Sequence, residues 1–152
     1  LRYYISGLDN IHILTCTASV KLYPENQTVD FGAIYNYEKN MPVLKKNFSL
    51  STIRDQTAGC TERFDITTSF YINENLYDST HLDIGNGLLL NIVDDTANTD
   101  VLFNQYMPFT TYIPGEPSTV THNYTAELTK KPSESVADGP FSKDVIIKIN
   151  YQ

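Results

Sequence analysis

Three histidines, two cysteines and one pair of adjacent carboxylates are the residues of this chain best equipped for chemistry. His12, His81 and His122 are far apart in the sequence. A structural or catalytic zinc site needs three or four His, Cys or carboxylate ligands at short characteristic spacings, and these histidines have none. His12 falls in an alternating strand pattern, and His81 and His122 are expected in or beside loops. Asp94 and Asp95 offer two carboxylates, but neighbours in an extended chain point to opposite faces, and aspartates are ordinary turn residues. A calcium loop alternates Asp or Asn, with a glycine and a closing Glu. The stretch Asp94–Asp100 has neither Gly nor Glu. No G-x-S-x-G marks an activated serine. The reading is a chain without a catalytic residue, a cofactor or a bound metal.

Cys16 and Cys60 leave no odd thiol. Paired, they indicate an oxidising compartment such as a periplasm or the cell exterior; unpaired, they would be two buried thiols of a cytosolic protein. A bridge would close a loop of about 45 residues and contribute on the order of 4 kcal/mol in the chain-entropy model. Its role would be structural, because a redox pair wants C-x-x-C spacing. Asn26-Gln-Thr28, Asn47-Phe-Ser49 and Asn123-Tyr-Thr125 match the glycosylation sequon, which matters only in a eukaryotic ectodomain. Tyr35, Tyr37, Tyr106 and Tyr112 could form an aromatic sugar platform or pack locally over the ends of the fold. Lys45-Lys46 and Lys130-Lys131 read as solvated loop charges.

The elements that position these residues are strands. Val145, Ile147, Ile149 and Tyr151 alternate with Asp144, Ile146, Lys148 and Asn150, the period of a half-buried strand. The sequence given stops on this apolar pattern, although termini usually fray, and an open strand edge recruits another chain. Further alternating runs are Leu1-Tyr3-Ile5 leading into Gly7, Ile11-Ile13, Ala18-Val20-Leu22, Phe48-Leu50-Thr52, Phe64 through Ile72, Leu88-Leu90-Ile92 and Tyr124-Ala126-Leu128. Val29-Phe31-Gly32 and Val101-Phe103 are expected as short strands. The stretch from Pro108 to Pro117 is expected to be irregular. Helical period is not sustained anywhere. Seven or eight short strands with turn signals between them indicate a Greek-key β-sandwich.

The 152 residues suit one domain with a substantial core. A formal charge of −7, with no basic cluster, argues against nucleic acid. Eleven Tyr, seven Phe and no Trp, with Thr, Val and Ile in the patterned runs, suit an all-β chain. No run of about 18 apolar residues spans a membrane as a helix. Leu1 is not Met, and a mature or excised fragment is expected.

In order and spacing these elements resemble the pilins of chaperone–usher (type 1/P-like) fimbriae. Cys16-Thr-Ala-Ser-Val20 followed by Val29-Asp-Phe-Gly-Ala-Ile34 resembles the family's first-cysteine strand and its V-D-F-G turn. Phe48–Cys60 is similar to its second strand and second cysteine, and Gly87–Asp94 to its central strand. Tyr124-Thr-Ala126 is similar to an aromatic-x-Ala element near the family's end. Most specific are a glycine fourteen places from the C-terminus and a penultimate tyrosine, here Gly139 and Tyr151 counted from Gln152.

The resemblance implies an immunoglobulin-like sandwich that lacks its last strand. The groove is filled first by a chaperone strand and then by an N-terminal extension of the next subunit, which is β-augmentation. Val145, Ile147, Ile149 and Tyr151 would line the groove. The carboxylate of Gln152 would be held by basic chaperone residues. The implied partners are a periplasmic chaperone, an outer-membrane usher and neighbouring subunits, with a host receptor or glycan in a subunit that carries adhesion. The implied location is the periplasm during assembly and then the surface pilus. Residues 16–152 would be the sandwich. Residues 1–15 would be a donor extension carrying Leu1, Tyr3, Ile5 and Gly7, or the linker of a two-domain tip adhesin whose receptor domain preceded Leu1. The long Tyr106–Pro117 stretch favours a tip or minor subunit over a compact shaft pilin. The alternative function is a self-sufficient extracellular sandwich that binds carbohydrate or protein.

Overall fold

The computed structural model describes residues 2–6, 18–32, 41–54, 63–115, 118–137 and 141–151, the first of these spans as backbone only. Among the described residues ten strands run in chain order: β1 (Arg2–Ser6), β2 (Ala18–Tyr23), β3 (Leu44–Arg54), β4 (Phe64–Tyr71), β5 (Leu82–Gly85), β6 (Leu88–Asp94), β7 (Thr99–Asp100), β8 (Tyr106–Tyr112), β9 (Thr119–Lys130) and β10 (Ile146–Tyr151). Among the described residues there is no helix.

The strands form two sheets. One has the order β1-β10-β4-β8 and the other β2-β3-β9-β6-β5, with β7 paired to β6. The inner faces follow from alternation. Phe64, Ile66, Thr68 and Phe70 are buried on β4, Phe48, Leu50 and Thr52 on β3, and Tyr124, Ala126 and Leu128 on β9. These side chains meet between the sheets: the Phe70 ring lies 5.2 Å from Tyr124 and 6.3 Å from Phe48. Tyr112 of β8 reaches across to β3, where its hydroxyl donates to the Thr52 carbonyl oxygen at 2.6 Å and also lies 2.6 Å from Thr52 Oγ1. Burial of the phenol raises the Tyr112 pKa above its ordinary value.

Several expectations are corrected. The region after Tyr106 is not irregular: β8 pairs with β4 from Ser69↔Tyr106 to Phe64↔Tyr112. Pro108 is tolerated because β8 is an edge strand and the register shifts at that point, between Ile66 and Thr67. Val29-Phe31-Gly32 is not a strand. The Asp30 side chain instead accepts from Gly32 N at 2.7 Å, a turn that competes with a ladder. Val101 and Phe103 are buried without strand pairing of their own, and the short returning strand is Thr99–Asp100 just before them. Lys45 and Lys46 lie within β3, and Lys130 closes β9.

Strand β5 had a sequence signal of its own. Gly85-Asn86-Gly87 joins it to β6, and Asn86 and Gly87 have φ of 56° and 73°. Positive φ at both central residues is the twist a two-residue hairpin needs, and Asn-Gly is its strongest signature. Gly87 is required for a second reason, since a Cβ there would stand 2.3 Å from the Ser135 carbonyl oxygen. Lys131 N donates to Gly87 O and Ala137 N to Asn86 O. The hairpin tip thus anchors the segment that leads towards β10.

Candidate functional site

Strand β10 carries the pattern the sequence singled out. Val145, Ile147 and Ile149 are buried, the two isoleucines at 0% exposure, whereas Ile146, Lys148 and Asn150 are only half-buried. Tyr151 is half-buried, packs 6.4 Å from the Phe64 ring, and its hydroxyl donates to Ala18 O at 2.5 Å. The last side chain of β10 therefore ties this sheet to the first strand of the other. On the outer face Lys148 Nζ sits 3.8 Å from the Tyr71 ring centroid, a cation–π contact.

One edge of β10 pairs antiparallel with β4, from Ile146↔Tyr71 to Tyr151↔Ile66. The other edge is occupied by β1. That pairing is parallel, with Arg2↔Ile146, Tyr3↔Ile147, Tyr4↔Lys148, Ile5↔Ile149 and Ser6↔Asn150. Tyr3 and Ile5, read from the sequence as a donor-like segment, thus stand in register with the two fully buried isoleucines. The chain fills with its own N-terminal strand the position beside β10 that the sequence reading left open. Leu1, Gly7, Gly139, Gln152 and the cysteines Cys16 and Cys60 lie outside the described residues.

The other candidates resolve into structural roles. His122 is not beside a loop: it lies within β9, on the buried face with Tyr124 and Ala126. Its Nδ1 is 2.7 Å from Asp94 Oδ2, and Phe109 of the opposite sheet stacks on the ring at 4.1 Å. Asp94 Oδ1 accepts from Thr96 N and Ala97 N, so this carboxylate closes the turn after β6 and orients the imidazole at once. The residue two places before Tyr124 shares its strand face, and that parity was legible in the sequence. Asp95, the first residue of the turn after β6, accepts instead from the Thr125 hydroxyl at 2.6 Å on the exposed side. The carboxylates of Asp94 and Asp95 do not converge.

His81 forms an exposed turn with Asp78, Nδ1 to Oδ1 at 2.8 Å. Burial works to raise the Asp78 pKa, but the His81 and Thr80 hydrogen bonds outweigh it and leave it lowered. Lys131 bridges Asp83 at 2.7 Å and Glu134 at 3.3 Å. Asp83 is held below the usual carboxylate range by that ammonium and by Gly85 N. Of the loop tyrosines, Tyr112 is buried in the core and Tyr106 is 47% exposed at the start of β8, so they build no common platform; Tyr35 and Tyr37 are outside the described residues. A cavity of about 30 Å³ beside Asp94, Thr68 and Tyr124 would hold a water or two and no larger ligand. No group of three or more metal-ligating side chains exists among the described residues. No helix among them is long and apolar enough to cross a membrane.

The residues that converge are thus those of an apolar strand and a short strand laid along its edge, a geometry for strand addition. No protein-family model matches the chain. Among solved structures it is similar to the P pilus rod subunit PapA, with a TM-score of 0.63 and 18% identity over 89% of this chain and 99% of that one. It is also similar to a chain from a chaperone–usher pilus structure concerned with rod uncoiling, with a TM-score of 0.62 and 18% identity over 94% of this chain and 92% of that one. This protein has the all-β, immunoglobulin-like fold of the chaperone–usher pilins.

Proposed function

We propose that the chain is a structural subunit of a bacterial chaperone–usher pilus, joined to its neighbours by strand addition at the β10 edge. The observation that carries this reading is the position beside β10. The buried Val145, Ile147 and Ile149 need a strand alongside them. The strand found there, β1, pairs with β10 alone among the described residues. A strand held in that way is one that can be exchanged for an equivalent strand of another molecule, which is recognition by β-augmentation.

In this reading Val145, Ile147, Ile149 and Tyr151 line the groove, Gly139 precedes it, and the Gln152 carboxylate is the contact for a basic chaperone site. Leu1, Tyr3, Ile5 and Gly7 belong to the donating segment, and Cys16–Cys60 is the structural disulfide. The partners are a periplasmic chaperone, the outer-membrane usher and neighbouring subunits. The subunit matures from the periplasm to the extracellular pilus, where as a minor pilin or the pilin domain of a tip adhesin it supports adhesion. The reading contains no catalytic step and no cofactor. A self-sufficient binding sandwich is the second reading, favoured by the fact that β1 already completes the four-stranded sheet.

The test compares Ile147→Asp with Lys148→Glu. The first places a carboxylate at a site with 0% exposure; the second changes a half-buried outward residue. Fibre yield after shearing is measured against folded subunit in the periplasm. The expected outcome is loss of fibre for Ile147→Asp and near-parental fibre for Lys148→Glu. Equal fibre from both would overturn the groove assignment.

A further inference from the structure

The outer face of the four-stranded sheet carries a row of side chains that strand addition does not use. Lys148 of β10 pairs with Ser69 of β4, and Ser69 pairs with Tyr106 of β8. The neighbouring pair, Thr68 and Met107, lines the small cavity beside Asp94 between the sheets. By alternation Ser69 and Tyr106 therefore point outward with Lys148. Tyr71 lies on the same face, two residues along β4 and opposite Ile146. Its ring carries Lys148 Nζ at 3.8 Å, and its hydroxyl donates to Asn73 Oδ1 at 3.2 Å. Ser69, at 3% exposure, lies beneath the surrounding side chains, whereas Tyr106 stands 47% exposed. Two tyrosines and a lysine thus share one open surface. Lys148 and Tyr106 lie two strand spacings apart, about 10 Å.

Charge sets this row apart. Lys21, Lys45, Lys131 and Lys143 each form an ion pair with a carboxylate of the chain. Lys148 has no such partner among the described residues and rests on a ring instead, although the chain carries a net charge of −7. A half-buried cation on an aromatic ring, without a counter-ion of its own, is a place for an acid supplied by a partner. The same partner must lay flat C–H surface on tyrosine rings and offer groups to their hydroxyls. A pyranose does both, and a uronic or sialic acid adds the carboxylate. Nucleic acid is disfavoured by the overall charge. A peptide would want a groove or a free strand edge, and this is the flat side of strands already paired.

We propose that the Tyr71–Lys148–Tyr106 face binds an acidic oligosaccharide, with the sugar rings on the tyrosines and a carboxylate on Lys148 Nζ. The site goes beyond the pilus reading and does not depend on it. A strand added at the edge of β10 lies in the plane of the sheet, so its outer face is left open whether or not the subunit is assembled.

Isothermal titration of the full chain with tetragalacturonate and with a hyaluronan tetrasaccharide tests the site, the methyl esters of both serving as uncharged controls of the same shape. At least one of the acids is expected to bind, and its ester at least about threefold more weakly, the effect of one ion pair near the surface. Lys148→Gln should weaken the acid by about the same factor and leave the ester unchanged. Tyr106→Ala should weaken acid and ester alike, whereas Tyr106→Phe keeps the ring and retains binding. All three changes are on the outer face, and circular dichroism checks that each variant is folded. Binding of neither acid, equal binding of acid and ester, or undiminished binding by Lys148→Gln or by Tyr106→Ala would overturn the proposal. Fibre yield in Ile147→Asp bears on the pilus reading alone, and the sugar titrations bear on this site alone.

Discussion

Truncating Ile147 tests the feature on which the site rests. Ile147 has 0% exposure and Ile146, its neighbour on β10, is only half-buried. Ile147→Ala removes methyl groups from the interface between the sheets and leaves a void, because neighbouring strands relax only partly. Such changes cost about 2–5 kcal/mol at fully buried sites. In a chain of this size each kcal/mol lowers the melting temperature by about 2–4 °C, so a loss of about 3 kcal/mol corresponds to a drop of about 6–12 °C. Ile146→Ala removes the same atoms from the outer face, where solvent already covers part of them, and is expected to cost less than about 1 kcal/mol, a drop of at most about 4 °C. The measurement is thermal unfolding followed by circular dichroism, with urea midpoints at 25 °C as a second scale. The reasoning fails if the two variants fall by the same amount, or if Ile146→Ala is the worse. Equal losses would mean that both faces of β10 are covered alike, and a larger loss at Ile146 that β10 presents the opposite face to the core, since a one-residue slip exchanges every inward and outward side chain.

Gly87→Ala should lower stability by about 2 kcal/mol or more in urea denaturation, because positive φ and a Cβ against the Ser135 carbonyl act together. Tyr112→Phe should cost about 1–3 kcal/mol by leaving the fully buried Thr52 hydroxyl unpartnered, whereas Thr52→Val combined with Tyr112→Phe should cost less than the sum; additive losses would count against the hydrogen bond. Asp83→Asn should reduce stability in a pH-dependent way. The folded-state pKa of Asp83 is depressed, so its contribution is present above the unfolded carboxylate pKa of about 3.9 and is lost as pH falls through the lower folded value. The melting temperatures of parent and variant should therefore differ at pH 6 and converge as the pH falls through the depressed folded-state value, and a gap that does not narrow on acidification would assign the effect to something other than the Lys131 ion pair.

How legible the fold was depended on whether a strand buries one face or sits under special local rules. β3, β4, β9 and β10 bury alternate residues, and their period could be read directly from Phe48–Thr52, Phe64–Phe70, Tyr124–Leu128 and Val145–Tyr151. β6 is less regular because residues of both parities are buried, Leu89 and Asn91 as well as Leu88 and Ile92, so both faces are covered and the expected Leu88-Leu90-Ile92 stripe is too simple. β8 was hidden by Pro108, which reads as a breaker unless one knows that the strand is at an edge and carries a bulge. β5 was hidden by its four-residue length, although Asn86-Gly87 announced the hairpin. His122 was placed beside a loop because the apolar pattern was taken to begin at Tyr124; β9 begins at Thr119, and the same parity carries the imidazole inward to Asp94. The polarity of β1 lay beyond any pattern. Alternation in Tyr3 and Ile5 says that a strand has an apolar face, and that property is unchanged when the strand is reversed.

That indifference to direction has a physical source. Val145, Ile147 and Ile149 bury branched aliphatic side chains that make no directional contact, so the apolar pattern selects for alternation and not for polarity. Direction is imposed by the backbone ladder. Both polarities meet on β10 itself, where β4 pairs antiparallel and β1 parallel. The same buried residues thus stand between ladders of opposite direction, and the hydrogen-bond pattern of each edge is what records which way its neighbour runs.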